Sequence, residues 1–506
     1  MSRTPDILLI TTDQQRGDCI SGAGRQVRTP NIDRIAGRGA RFDTCITPHP
    51  MCQPARASIL TGKLPYSHGV RDNGRNLDPA LAEEGLGGLF AGAGYDTRFI
   101  GKAHLSTHET FAPTGAAECY SSVADYDDDW AGPYMGFERV DLTLRPHHHC
   151  GWKDRPYTLH YENFLDQDGR GGDRWAQAKD RVPPLTEHKQ VWRSALSEEW
   201  FSTAWVGDRA IDMLEEDRDR PLMSWISFPD PHPPFLAAAP WATMYDPAEV
   251  DLPPHRALDL DRRPWWHRAF LESPARRNQK RPHAGDQPYW GNDDALQDKD
   301  LRDVIAVYYG MIAAIDMQVG RILDHLEASG RLENTIVIFT SDHGEWLGDH
   351  GLLLKGPMLY DGLLRVPLVM AGPGVTRGRF DAPVSTLDLR ATLAELCGLS
   401  ASADDGTSLT DVMQGGAREV AHNEWEVDAT RSGVDLDLRT VRSRSHRLSV
   451  DLNSGAGELY DLAADPHEMT NLWDDAGAGA MRDRLCATIA TDRPAMIPAA
   501  PRVGWH

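Results

Sequence analysis

The sequence predicts an α/β protein: a large, mostly parallel central sheet flanked by helices, followed by a smaller α+β C-terminal domain. Three observations carry this expectation. Short strands of continuous apolarity, such as Ile7–Ile10 and Leu222–Phe228, alternate with helical segments, the pattern of a parallel sheet buried on both faces. Polar residues recur just past the ends of these strands, where open α/β sheets bind ligands. After Gly398 the pattern changes to short strands and turns, including Gly457–Leu462. The expected division is residues 1–400 and 401–506.

Taken in order, Ile7–Thr12 reads as the first strand and ends in Asp13-Gln14. Thr29-Pro30, a cap followed by a first-turn proline, opens a helix carrying Ile32 and Ile35. A helix from about Pro79 to Gly94 feeds the strand Tyr95–Ile100, which ends in Gly101-Lys102-Ala103-His104. Ser202 to Glu216 is helical by the spacing of Trp205, Val206, Ala210, Met213 and Leu214. It leads to Leu222–Phe228 and then to Asp230-Pro231-His232. The longest predicted helix, Leu301 to Ala328, sets Val304, Val307, Met311, Ile315 and Val319 on one face. Thr335–Thr340 follows and ends in Ser341-Asp342-His343-Gly344; Leu364–Ala371 is a further strand and Leu387–Leu396 a further helix. Residues 110–200 and 236–300 lack periodicity and read as insertions draped over the active edge. The proline-rich tail Met496–His506 reads as a contact arm.

A chain of 506 residues, 41% of them apolar, can bury a sizeable core, which excludes wholesale disorder. No run of about 18 apolar residues occurs, so no membrane span or membrane partner is expected. The net charge of −22 argues against nucleic acid as a partner, for want of surplus cations. Seven cysteines, an odd number without CxxC spacing, predict a reducing compartment and no disulfide framework or zinc ribbon. Ile7–Ile10 is too short for a secretory core and lacks a small-residue cleavage site after it, so the expected location is cytoplasmic.

The sharpest local signal is Cys52-Gln53-Pro54-Ala55-Arg56, continued by Ala57-Ser58-Ile59-Leu60-Thr61-Gly62. Pro54 suits a first helical turn and Gly62 a helix stop, which places Cys52 at a helix N-terminus that favours anions. Arg56, one turn on, is expected to point back to the same spot. At this chain's composition C-x-P-x-R arises by chance roughly 0.04 times.

These residues resemble the type I sulfatases of the alkaline phosphatase superfamily, close to the branch of arylsulfatases and phosphonate monoester hydrolases. The resemblance runs from Asp13 to Gly457–Leu462 and Asn471-Leu472. It implies a mixed sheet sandwiched by helices with a smaller C-terminal domain, in agreement with the reading above. It also implies that Cys52 is oxidised to formylglycine by a dedicated formylglycine-generating enzyme. Hydrated formylglycine is a geminal diol: one hydroxyl attacks sulfur, and the second expels sulfate by collapse to the aldehyde. The implied reaction is hydrolysis of a small alkyl or aryl sulfate ester to alcohol and sulfate.

Asp13-Gln14 and Asp342-His343 end two strands and offer carboxylate, amide and imidazole donors to one divalent metal ion. The resemblance adds the formylglycine oxygen at position 52. The family pattern often carries two adjacent Asp and an Asp-Asn pair instead. Oxygen-rich donors suit Ca²⁺, Mg²⁺ or Mn²⁺, and the nitrogen donor and reduced anionic charge favour Mn²⁺, so Ca²⁺ or Mn²⁺ is expected ahead of Mg²⁺. Only eight residues are lysines, and two of them, Lys102 and Lys355, fall in Gly101-Lys102-Ala103-His104 and Leu354-Lys355-Gly356. With Arg56 they are expected to hold sulfate oxygens and stabilise charge on the ester oxygen. His104 resembles the family's base partner in sulfate expulsion, Asp342 is a candidate acceptor of the proton released at attack, and His232 resembles the acid that protonates the leaving oxygen together with Lys355.

The nearest alternative is a phosphonate monoester or phosphodiester hydrolase. Its metal set looks like Asp13-Gln14 with Asp342-His343, but it lacks the Lys-x-His pair. A phosphatase with two zincs would need a further ligand set that the sequence does not offer. A non-catalytic oxyanion-binding protein would keep Cys52 as a thiol. His147-His148-His149 before Cys150 reads as a solvated loop rather than a metal site. Trp265 and Trp266 read equally as pocket lining or as core. Relatives imply a homo-oligomer, a dimer or tetramer.

Overall fold

A computed structural model describes residues 4–144, 159–186, 188, 190–274, 297–400, 405–491 and 496–504. His147, His148, His149 and Cys150 lie outside the described residues.

The central sheet has eight strands, in the order Gly378–Phe380, Ala40–Phe42, Leu368–Ala371, Thr335–Ser341, Asp6–Thr12, Leu222–Ser227, Asp96–Gly101 and Arg139–Leu142. Asp6–Thr12 pairs in parallel with both neighbours, and Leu222–Ser227, Asp96–Gly101 and Arg139–Leu142 continue in parallel. Leu368–Ala371 alone runs against its neighbours on both sides. The mostly parallel α/β fold is therefore the one the strand composition predicts.

Alternate residues of the first strand show why it reads as continuously apolar. Ile7 and Leu9 pack into one layer with Ala57, Ile59, Leu60, Leu389 and Leu393. Leu8 and Ile10 pack into the opposite layer with Ile32, Trp205, Ile315 and Val319. Both faces are covered, so Ile7–Ile10 are all apolar and polar residues begin only at Thr11. The opposite layer holds the helices Pro30–Arg38, Ser202–Glu215 and Asp298–Ala328.

Three sequence expectations shift. The Pro79–Gly94 segment forms two helices, Pro79–Glu83 and Leu86–Gly92, parted at Gly85, where an added Cβ would lie 2.7 Å from Leu60 Cγ. Leu364 ends a short helix, Asp361–Leu364, and the strand starts only at Leu368, because Pro367 cannot donate to the ladder. The 110–200 stretch is not wholly a surface insertion: it supplies the edge strand Arg139–Leu142 and the helices His160–Leu165 and Gly171–Lys179. Its strand Val191–Arg193 pairs with Phe235–Ala237.

The C-terminal region builds an antiparallel meander of Val420–Val427, Leu436–Ser443, His446–Asp451 and Gly457–Asp461. Helix Gly479–Thr491 covers one face through Leu485 and Ile489, packed on Val441, Leu448 and Leu459. Trp266 is core, donating its indole N–H to the Pro357 carbonyl at 3.1 Å, whereas Trp265 is exposed and reaches Ser454. The tail turns back on its own chain: Ile497, Ala500 and Val503 donate backbone N–H groups to the carbonyls of Tyr66, Gly69 and Gly74 at 2.8–2.9 Å. Among the described residues no helix is long and apolar enough to cross a membrane.

Gly101 ends its strand at φ 99°, and a Cβ there would lie 1.9 Å from the Ser227 carbonyl oxygen. Gly101→Ala is expected to lower stability by at least ~2 kcal/mol, read as a fall in the urea midpoint at unchanged slope. An unchanged midpoint would mean that the strand end yields without cost.

Candidate active site

The parallel register of Asp6–Thr12 against Thr335–Ser341 pairs Thr12 with Ser341, so the next residues, Asp13 and Asp342, emerge side by side. The Asp342 amide donates to the Thr12 carbonyl at 3.2 Å, and the Gln14 amide donates to Asp342 Oδ1 at 3.0 Å. Gly344 lets the chain turn away: a Cβ there would lie 2.1 Å from the Gly362 carbonyl. Over this edge stands the helix Cys52–Thr61, buried at every residue, with Gly62 in the left-handed conformation at its end. Cys52 is its first residue, as the proline and glycine spacing predicts. The Asn73 side chain accepts the Gln53 amide at 3.0 Å and satisfies one of the free donors of that first turn.

Asp13, Cys52, Asp342 and His343 bring one donor atom each to within 4.8 Å of one another, all buried. Cys52 Sγ lies 3.2 Å from His343 Nε2 and 3.6 Å from Asp13 Oδ1. His343 Nδ1 donates to the Gly344 carbonyl at 2.9 Å, which leaves the Nε2 lone pair facing the cluster. Gln14 Oε1 is buried without a hydrogen-bond partner among the described residues, while its Nε2 donates to Glu345. Two carboxylates, an imidazole nitrogen and an orphaned amide oxygen fit a hard or borderline divalent cation. These are the residues that would hold it.

Cations line the same space. Lys355 Nζ lies 3.0 Å from Cys52 Sγ and 2.9 Å from His343 Nε2. Lys102 Nζ donates to Asp13 Oδ2. Arg56 is fully buried, with Nε on Asp342 Oδ2 at 2.9 Å, Nη1 on the Lys102 carbonyl at 2.5 Å and on Ser227 Oγ at 2.8 Å, and Nη2 3.4 Å from Asp13 Oδ2. Arg56 thus does reach the site, but its charge is spent on the two carboxylates rather than held open for an anion. Burial pushes Asp13 up, yet Lys102, His232, Arg56 and Lys355 outweigh it and hold the carboxyl well below its usual range. Burial and Asp13 likewise push the Cys52 thiol up, but Lys355, Lys102 and His343 outweigh them and hold it below its ordinary value.

His104 is buried at φ 48°, and both its ring nitrogens lack hydrogen-bond partners among the described residues. Burial, then His108, Lys102 and Arg56, depress its pKa well below the usual histidine value, so the imidazole is neutral. His232 is half-buried; its Nδ1 donates to the Pro233 carbonyl at 2.6 Å, and its charge acts on Asp13. Sequence reasoning missed Glu345, pushed up to about 7 by burial, which accepts Gln14 Nε2 and the Leu347 amide. Its place two residues past His343 was the available signal. It missed Asn73, Ser227 and Glu118 as well, which no spacing marks.

The sulfatase family model matches residues 5–399. The chain belongs to the sulfatase family. It is therefore a sulfuric ester hydrolase of the alkaline phosphatase superfamily, consistent with type I. The model of the N-sulphoglucosamine sulphohydrolase C-terminal region matches residues 348–494 of this sulfatase. It is 28% identical to the uncharacterized sulfatase YidJ of Escherichia coli, over 96% of this chain and 86% of that one. It is 29% identical to an arylsulfatase of Clostridium perfringens, over 92% and 90%. The crystal structure of a phosphonate monoester hydrolase of Agrobacterium radiobacter superposes with a TM-score of 0.73 at 27% identity, over 97% and 95% of the two chains.

Removing Arg56 from this sulfatase would leave Asp13 and Asp342 buried with less compensation. Arg56→Ala is expected to cost ~3–5 kcal/mol in chemical denaturation. A loss below about 1 kcal/mol would show that other groups neutralise the pair.

Proposed function

We propose that the protein hydrolyses a small alkyl or aryl sulfate monoester to alcohol and sulfate, with a formylglycine made from Cys52 and one divalent cation, Ca²⁺ or Mn²⁺. The observation that carries this reading is the position of Cys52: first residue of a buried helix, its sulfur against Lys355, His343 and Asp13. The hydrated aldehyde supplies a hydroxyl nucleophile together with a route for releasing sulfate. The cation supplies Lewis-acid polarisation of sulfate oxygen and favours the ionised nucleophile.

The rest falls to side chains. Asp13, Gln14, Asp342 and His343 would hold the ion. Arg56 fixes the orientation of the two carboxylates. Lys355, next to position 52, faces an ester oxygen, and Lys102 adds charge from the opposite side of Asp13. His232, with Nδ1 committed to the Pro233 carbonyl, delivers its proton from Nε2 to the departing oxygen. His104, neutral and buried, takes the diol proton when sulfate leaves.

A second reading, hydrolysis of phosphonate monoesters at the same site, is favoured by the likeness to the Agrobacterium radiobacter enzyme. Lys102 and His104 support sulfate as the better substrate. Protein made together with a formylglycine-generating enzyme should carry an aldehyde at position 52 by peptide mass spectrometry and should cleave an aryl sulfate. Cys52→Ala should abolish that turnover. A free thiol throughout would instead mark an oxyanion-binding protein, and a phenyl phosphonate ester cleaved far faster than the sulfate would reverse the preference.

His232→Ala should lower kcat/KM by ~10²–10⁴ for poor leaving groups and much less for nitrophenyl sulfate. An equal loss across a series of leaving groups would remove His232 from the acid role.

A further inference from the structure

Glu118 lies in the 110–200 stretch, outside every motif, and is completely buried. Its Oε1 accepts the His104 amide at 2.5 Å and His108 Nε2 at 3.1 Å. Its Oε2 accepts the amides of Leu105 at 3.0 Å and Ser106 at 3.1 Å, and the Tyr134 hydroxyl at 2.9 Å. One carboxylate therefore gathers three consecutive backbone N–H groups, an imidazole and a phenol. Such convergence of successive amides on one centre is the geometry of an anion nest, here filled by the protein's own side chain. Burial pushes Glu118 up, but His108, the Ser106 amide and Tyr134 outweigh it and keep it ionised.

The first of those amides belongs to His104, whose left-handed backbone costs a non-glycine residue of order 1–3 kcal/mol and persists only when its surroundings impose it. The imidazole of His104 has no hydrogen bond of its own to hold it among the described residues. What fixes it is its backbone and the ring of His108, 4.7 Å away between centroids, and Glu118 holds both. We propose that Glu118 is a positioning residue for ester hydrolysis: by pinning residues 104–106 and His108, it holds the His104 ring in place, with both ring nitrogens uncommitted to hydrogen bonds among the described residues. The inference rests on the function proposed above, in which His104 handles a proton.

Glu118→Gln keeps the shape but turns N–H groups toward amides that need an acceptor. Glu118→Asp keeps the charge but shortens the reach, so it cannot serve all five donors. Each variant would be made with the maturation enzyme, its position-52 peptide checked by mass, and assayed on an aryl sulfate beside wild type, His104→Ala and the double variants. The expected result is a fall in kcat of at least ~30-fold with KM within about threefold, and less than about a twofold further loss when either change is added to His104→Ala. Should Glu118→Gln fail to fold, Glu118→Asp is judged by the same criteria. Active wild type with kcat within threefold in the variants, or losses that multiply with that of His104→Ala, would overturn the positioning role alone. Fully matured wild type inert toward both sulfate and phosphonate esters would overturn the functional reading, and this role with it.

Discussion

Two carboxylates buried without solvent at neighbouring strand ends are the constraint that the rest of the site answers. Parallel pairing of Thr12 with Ser341 makes Asp13 and Asp342 neighbours, and neither has exposed surface. An isolated pair of this kind would be untenable, since desolvation alone costs several kcal/mol per ion. Arg56 reaches both, Lys102 binds one, and the Asp342 oxygens also take the Gln14 and His343 amides. With this compensation Asp13 is held well below its usual carboxylate range. The helix that carries Arg56 also carries Cys52, so one element delivers both the compensating charge and the residue proposed to react.

Much of this was legible in the sequence because strand ends are legible. Where both faces of a sheet are covered, apolarity runs unbroken and then stops, and the first polar residues afterwards mark the ligand edge. Asp13, His232 and Asp342 were found in that way, whereas Lys102 follows a strand that carries Asp96, Thr97 and Arg98 and stood out by the scarcity of lysines and its place in Gly101-Lys102-Ala103-His104. Cys52 and Arg56 were found through proline and glycine at the two ends of a short helix. Glu118 and Asn73 were not legible, because each acts chiefly through backbone amides. A side chain that accepts from the main chain leaves no periodic or compositional trace. The Arg139–Leu142 strand was missed for a related reason: as an edge strand of four residues with Arg139 exposed, it lacks the unbroken apolar run.

The C-terminal meander and tail belong to the same machinery. Asn423 Nδ2 donates to the Thr47 carbonyl at 3.0 Å, and the Glu424 amide to Pro48 at 3.0 Å, just ahead of the Cys52 helix. The tail lies along Tyr66 to Gly74. That segment in turn supplies Asn73 to the Gln53 amide, and the Gln53 side chain bonds the Gly74 amide and the Arg75 carbonyl. A contact arm read from proline content thus braces its own chain, one hydrogen bond removed from the helix that begins at position 52.

The remaining step concerns charge. A protein of net charge −22 should repel an anionic ester at long range, yet its centre is arranged to receive one. The two effects act over different distances. Salt screens exposed charges beyond about 10 Å at 0.1 M ionic strength, while buried groups are screened much less. Lys102 and Lys355 are each almost fully buried, so their fields are strong where a sulfate oxygen would sit and weak outside. The acidic exterior and the cationic centre are therefore compatible.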